Sequence, residues 1–222
     1  MWLQRNRCSF QYSNLKPSLM RDVENLASEF SCLVLPQKSI MTHNIIQVRW
    51  NLPSPGWFKL NTDGSALGCL GHASGGGLIQ DAHGRWVKGF LRKIGKVNSL
   101  KAELCAIKDG LIFCNQLIIQ NLYIELDTKA VISLLTSKNN SYAQYAPIID
   151  DCRNMHPTWK IQHCYWESNT CVDALAKKAV FNQQDFCLLD TLPVEMSQLL
   201  IQDLSGLFCN CVCNSTTPVA GS

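Results

Sequence analysis

The sequence predicts an α+β fold (α/β in the broader sense), a mixed sheet with helices packed on it. Three observations predict it. Residues 57–94 hold three extended runs joined by short connections, which is the pattern of an antiparallel meander. At Ser99 the apolar rhythm changes to a helical period and keeps it to Cys114. From Asn121 to Phe181 strand and helix patterns then alternate. The order β-β-β-α-β-α-(α)-β-α implies a five-stranded sheet, three antiparallel strands and then two parallel ones, flanked by helices.

Trp57–Ser65, Gly75–Gln80 and Arg85–Ile94 are the first three strands, the last two separated by the turn signal Asp81-Ala-His-Gly84. Ser99–Cys114 is helical because Leu100, Leu104, Ile107, Leu111 and Cys114 form one stripe. Asn121–Leu126 is a short strand and Thr128–Ser137 a short helix. Ala143–Met155 is a further helix, with Pro147 tolerated near its start. Lys160–Trp166 is the fifth strand and Asn169–Phe181 the last helix. Upstream, residues 17–31 show helical spacing at Leu19, Val23, Leu26 and Phe30, and Pro17 suits a first helical turn.

Leu52-Pro-Ser-Pro-Gly56 breaks every pattern and reads as a boundary linker. The chain therefore divides into an N-terminal extension (1–55), a domain (56–182) expected to fold alone, and an acidic tail (183–222). Within the tail, Pro193–Leu204 carries an amphipathic turn or two at Met196, Leu199, Leu200 and Asp203.

Composition removes several function classes. The chain of 222 residues is 46% apolar and 17% charged, which argues against wholesale disorder. Its longest apolar runs are four residues, too short to span a membrane, and no apolar region follows the charged start, so no secretory signal is expected. The net charge of +3 is spread unevenly: residues 57–181 carry +4 and the tail −4. A mildly basic body suits a polyanion but does not identify one. Twelve cysteines are scattered without any C-x-x-C, which suits small apolar core residues in a reducing compartment. Cys209-Asn-Cys211-Val-Cys213 lacks a fourth ligand for closed zinc, so it reads as a tail with free thiols.

Four acids stand out by position. Asp63 lies late in the first strand, and Glu103 in the first turns of the long helix, bordering its apolar stripe. Asp127 ends the fourth strand, and Asp173 lies in the first turn of the last helix. Strand ends and helix starts are where sites form in open sheets. Each acid also has a plain structural reading as a turn, a helix-terminus charge or a surface residue. Their neighbours separate the two readings: Trp50-Asn-Leu-Pro-Ser-Pro-Gly-Trp-Phe-Lys-Leu-Asn-Thr-Asp-Gly-Ser65, Gly75-Gly-Gly-Leu-Ile-Gln-Asp81 with Gly84, Lys101-Ala-Glu-Leu-Cys-Ala106, Glu125-Leu-Asp-Thr-Lys-Ala-Val-Ile132, and His163-Cys-Tyr-Trp-Glu-Ser-Asn-Thr-Cys-Val-Asp-Ala-Leu-Ala176.

On these motifs residues 50–181 resemble ribonuclease H type 1 domains, most of all the plant reverse-transcriptase-like domains derived from non-LTR retrotransposons. Trp2–Phe10 resembles the segment that joins the polymerase part to such a domain. The resemblance implies a ribonuclease H-like fold and a metal-dependent endonuclease that hydrolyses the RNA strand of RNA–DNA hybrids. It implies two Mg²⁺ ions, replaceable by Mn²⁺, ~3.5–4 Å apart on the four acids. Asp63 would bridge both ions, Glu103 and Asp127 would complete one site, and Asp173 would hold the other. The products would be a 5′-phosphate and a 3′-hydroxyl.

For substrate, the resemblance implies close backbone approach at Gly64 and Ser65, sugar contacts at Asn98 and Ser99, and a phosphate contact at Lys129. Arg92, Lys93, Lys96 and Lys101 add positive charge. Some features depart from the hydrolytic members. The basic helical protrusion has no counterpart between Asp127 and Lys160, and Trp166 stands where the plant family carries Arg. His163 has the spacing of a loop histidine that shuttles protons in some relatives, yet it falls inside the strand pattern Ile161-Gln-His-Cys-Tyr165. Both readings of His163 stay open. A second reading of the whole chain, a catalytically inactive interaction module for nucleic acid or protein, suits its truncated start and many cysteines. The sequence leads us to expect a monomer in the cytoplasm or nucleus, with RNA–DNA hybrid or other nucleic acid as partner and no membrane association.

Overall fold

The computed structural model describes residues 39–66, 71–137, 143–155 and 158–218. The helix expected at 17–31 lies outside the described residues. The chain divides into two compact units, Gln47–Cys211 and a second built from its two ends. Of the second, a two-stranded sheet is described, β1 (Ser39–Val48) paired with β8 (Cys209–Pro218).

The larger unit is the α+β domain that the patterns predict. Its meander is β2 (Phe58–Ala66), β3 (His72–Gln80) and β4 (Trp86–Lys96), followed by α1 (Ser99–Gln116). Then come β5 (Leu122–Leu126), α2 (Lys129–Thr136), α3 (Ala146–Met155), β6 (Trp159–His163) and α4 (Thr170–Ala179). β2 and β3 pair antiparallel, as do β3 and β4, while β5 joins β2 in parallel and β6 joins β5 in parallel. The β3–β4 turn closes at Gly84, whose φ of +73° only glycine adopts without strain.

Four expectations need correction. The sheet has six strands in the order β6-β5-β2-β3-β4-β7, not five. The added strand, β7 (Phe186–Leu189), pairs antiparallel with Gly89–Arg92 of β4, so the segment read as an acidic tail extends the sheet. The predicted amphipathic turns become a 3₁₀ turn (Val194–Met196) and α5 (Ser197–Ser205), with Met196 and Leu200 buried. At the other end, Trp50 is buried against Asn61 of β2, so the compact unit begins ahead of the proline linker. The fifth expected strand is also shorter, because β6 stops at His163 and Trp166–Ser168 turns as 3₁₀ helix.

Strand alternation gives the sheet two apolar faces. Leu60, Ile79 and Ile124 pack beneath Leu104, Ile107 and Leu111 of α1 on one face. Leu78 and Leu91 pack beneath Val172 and Leu175 of α4 and Met196 on the other. Both faces are covered, with the first turns of α1 against Gly64 of β2 and the start of α4 against Asn61 and Thr62 of the same strand.

Candidate active site

Asp63, Glu103 and Asp127 converge, each offering a carboxylate oxygen, with those oxygens all within 4.8 Å of one another. Three different elements deliver them. Asp63 lies in β2 opposite Gly76 of β3, and Asp127 is the first residue beyond β5, the strand beside it. Glu103 reaches them from α1, whose start is fixed by Asn98: the Asn98 side chain accepts the Lys101 backbone N–H at 2.9 Å.

The approach of α1 to β2 depends on Gly64. A Cβ built on Gly64 would lie 2.2 Å from the Glu103 nitrogen and 2.4 Å from the Ala102 carbonyl carbon. Only glycine lets the helix come that close. The Gly64 N–H uses the proximity, donating to Glu103 Oε2 at 3.1 Å. Thr128 supplies the other anchor. It stands at the N-cap position of α2 without capping it, and its hydroxyl instead donates to Glu103 Oε1 at 2.9 Å, with Asp127 Oδ1 at 3.2 Å.

Burial pushes the Glu103 carboxyl well above the usual carboxylate range, and the Asp63 and Asp127 charges push it further. Asp127 is raised as well, first by burial. Thr128 and the Gly64 N–H oppose these effects at Glu103 without cancelling them. Three acids held together against their own repulsion, with oxygen donors only, suit a hard divalent cation such as Mg²⁺ or Mn²⁺. Asp173 stands outside this group. It is half-buried in the first turn of α4, is ion-paired with Lys177 at 2.5 Å, and is close enough to Asp127 to raise its carboxyl.

The other sequence-predicted residues fall into two groups. Ser65, Ser99 and Lys129 are at least partly open, with Lys129 exposed at the first position of α2. Gly64 and Asn98 are engaged internally: Gly64 is covered by α1, and Asn98 caps α1 while donating to the Tyr145 hydroxyl at 2.7 Å. His163 ends β6, with Nε2 3.1 Å from the Asp127 carbonyl oxygen. It belongs to the strand, not to a loop. Burial first, and then Lys129, hold its imidazole below the usual histidine range.

Of the cations expected to serve substrate Arg92 is bound elsewhere, and two further basic side chains, Arg153 and Lys160, are also engaged within the fold. Arg92 pairs with the buried Asp109 at 2.6 Å. Arg153 closes the end of α2 through the Leu134 carbonyl at 2.6 Å, and Lys160 lies over the Trp57 ring, 4.3 Å from its centroid. Lys96, Lys101 and Lys129 remain exposed. Sequence reasoning also missed Thr128 and the buried polar residues Lys59, Asn61, Glu125 and Asn169. The available signal was spacing: Asn61, Glu125 and Asn169 precede three of the acids by two, two and four positions.

A family model described as reverse transcriptase-like matches residues 61–179, a span that contains all four acids. The chain belongs to the reverse transcriptase-like family. It is 32% identical over 162 residues to an Arabidopsis thaliana protein whose name provisionally designates it a ribonuclease H protein. That match takes in 72% of this chain and 26% of the relative, so the chain spans about a quarter of the relative's length. Among solved structures, RNase H1 of Halobacterium salinarum superposes with a TM-score of 0.51 at 21% identity, over 56% of this chain and 98% of that one. The amino-terminal RNase H domain of a Mycobacterium tuberculosis protein does so at 0.53 and 19%, over 56% and 94%. These structures establish a ribonuclease H-like fold for this reverse transcriptase-like chain. Among the described residues no helix is long and apolar enough to cross a membrane.

Proposed function

We propose that this domain is a divalent-metal-dependent endonuclease that hydrolyses the RNA strand of RNA–DNA hybrids. The convergence of Asp63, Glu103 and Asp127 within 4.8 Å carries the reading, and the family and fold support it. Asp63, Glu103 and Asp127 would hold the metal, with Asp173 at the rim for a second ion. When bound, the ions supply an activated water and stabilise the leaving oxygen.

The remaining work falls to the chain itself. Gly64 and Thr128 aim Glu103, and the His163 ring braces the end of β5 through the Asp127 carbonyl. Ser65 and Ser99 border the site, where 2′-hydroxyls would distinguish RNA from DNA. Lys129 and Lys101 offer charge to phosphates. Among the described residues few cations flank the site, so binding should be weak and only shallowly salt-dependent. The buried Cys114, Cys152 and Cys171 are free thiols, which suits a reducing cytoplasmic or nuclear compartment.

The test is a labelled hybrid incubated with the protein and Mg²⁺ or Mn²⁺. RNA fragments ending in 5′-phosphate and 3′-hydroxyl are expected, with single-stranded RNA and duplex DNA left intact. A hybrid left uncut with both metals, by folded protein, overturns the proposal.

A further inference from the structure

Beneath the acids lies a second layer of side chains that the proposed reaction does not use. Asn61 precedes Asp63 by two residues on β2, Glu125 precedes Asp127 by two beside it on β5, and Asn169 precedes Asp173 by four at the start of α4. Two is the side-chain repeat of a strand and four that of a helix. Each therefore stands one repeat below an acid, on the same face of the element that carries it.

These three are bonded to one another. Asn61 Nδ2 donates to Glu125 Oε2 at 3.0 Å and to Asn169 Oδ1 at 3.1 Å. Asn169 Nδ2 returns to the Thr62 carbonyl at 3.4 Å, directly beside Asp63. The Asp173 N–H closes the α4 turn on the Asn169 carbonyl at 3.1 Å. Asn61, Glu125 and Asn169 are 2%, 5% and 2% exposed, so water does not compete for these bonds.

The layer also carries its own counter-charge. Lys59 Nζ meets Glu125 Oε1 at 2.6 Å, and Gln162 donates to the same oxygen at 2.6 Å. The Lys59 ammonium finishes on the Asn51 carbonyl at 2.5 Å and over the Trp50 ring at 4.4 Å. An unpaired Glu125 would add a fourth negative charge under three repelling carboxylates. Pairing with Lys59 offsets that charge in part, though Glu125 still raises the Asp203 carboxyl.

We infer that Asn61, Glu125 and Asn169 are positioning residues that set the height of Asp173 relative to Asp63 and Asp127, and so the spacing of the metal-holding acids. The inference rests on the proposed function. α4 has another anchor, the Ser74 hydroxyl bonded to the Ala176 carbonyl at 2.6 Å, which lies past Asp173 and outside the layer. Ser74 therefore separates seating of the helix from placement of Asp173.

The experiment compares full-length wild type, Asn169→Ala and Ser74→Ala by Mn²⁺ titration calorimetry, hybrid cleavage and thermal unfolding. Outer partners of metal ligands typically change affinity or activity 10–100-fold. Asn169→Ala is expected to weaken Mn²⁺ binding and lower kcat at least about tenfold, with KM for hybrid within about twofold, while Ser74→Ala leaves both metal affinity and kcat near wild type. Should Asn169→Ala not fold cooperatively, Asn61→Ser carries the test with the same thresholds. The inference is overturned if the folded variant matches wild type in Mn²⁺ affinity and kcat, or if Ser74→Ala lowers both equally. A wild type that binds no Mn²⁺ and cuts no hybrid overturns the proposed function itself, and this inference with it.

Discussion

Replacing Gly64 by alanine tests the geometry of the acid cluster without touching an acid. The added Cβ would sit 2.2 Å from the Glu103 nitrogen and 2.6 Å from its Cα, both backbone atoms of α1. Ordinary contact needs about 3.5–4 Å, so the first turns of α1 must retreat by roughly 1 Å or more. Glu103 retreats with them, and its 3.1 Å bond from the Gly64 N–H breaks. Overpacking of this kind costs about 1–3 kcal/mol. Functional groups tolerate displacement of about 0.5 Å, and a 1 Å misplacement costs about 100-fold in rate. Gly75→Ala is the internal comparison. It faces the same helix, but its Cβ meets the Ala106 Cβ at 3.0 Å and the Ile94 Cδ1 at 3.3 Å, so the helix need shift by only a few tenths of an ångström. In single-turnover hybrid cleavage, Gly64→Ala should lose about 100-fold while retaining a cooperative, lowered melting transition, and Gly75→Ala should lose much less. Equal rates for wild type and Gly64→Ala would refute the claim that this contact sets Glu103.

Other outcomes follow from the same geometry. Thr128→Val should lower kcat and Thr128→Ser should restore it, because only the hydroxyl reaches Glu103; equal kinetics for both would count against that bond. Burial first, and then Glu125, push the Asp203 carboxyl up to about 7. The folded chain then holds a proton there that the unfolded chain has lost above its ordinary value near 4, so stability should fall as pH rises from about 4 through 7. Urea midpoints at pH 5 and pH 8 should differ less in Asp203→Asn than in wild type, and an unchanged difference would contradict this. Ca²⁺ should bind without supporting turnover, because its loose 6–8-fold coordination misaligns the phosphate; zinc chelators should leave the melting temperature unchanged. The fragment 47–211 should unfold cooperatively and 56–182 should be less stable, since the shorter one removes Trp50 and Asn51 from Lys59 and β7 from β4.

Much of this was legible in the sequence where one local pattern sufficed. The α1 stripe is a simple period, and Leu104, Ile107, Leu111 and Cys114 are all fully buried. The β3–β4 turn is announced by Asp81 and Gly84, and Asp81 closes it by accepting the His83 and Arg85 N–H groups, each at 2.9 Å. The three converging acids were also legible, because each sits at a strand or helix end with distinctive neighbours. What stayed hidden depended on distant partners. Phe186–Leu189 is only four residues in an acidic segment, and becomes a strand because the β4 edge lies open beside it. Lys59 reads as surface charge but is 1% exposed, because Glu125, 66 positions away, neutralises it. Gly64 reads as room for a substrate, and in the fold that room is taken by α1.

The most direct test of the central claim is cleavage of a 5′-labelled RNA–DNA hybrid in Mg²⁺ by wild type and Asp63→Asn at matched concentration. The substitution removes a charge from a mutually repelling acid cluster but almost no volume, so the variant should fold and melt no lower than wild type. Cleavage by wild type with none by Asp63→Asn is the predicted result. Equal cleavage by the two would contradict the assignment of Asp63, Glu103 and Asp127 as the catalytic centre.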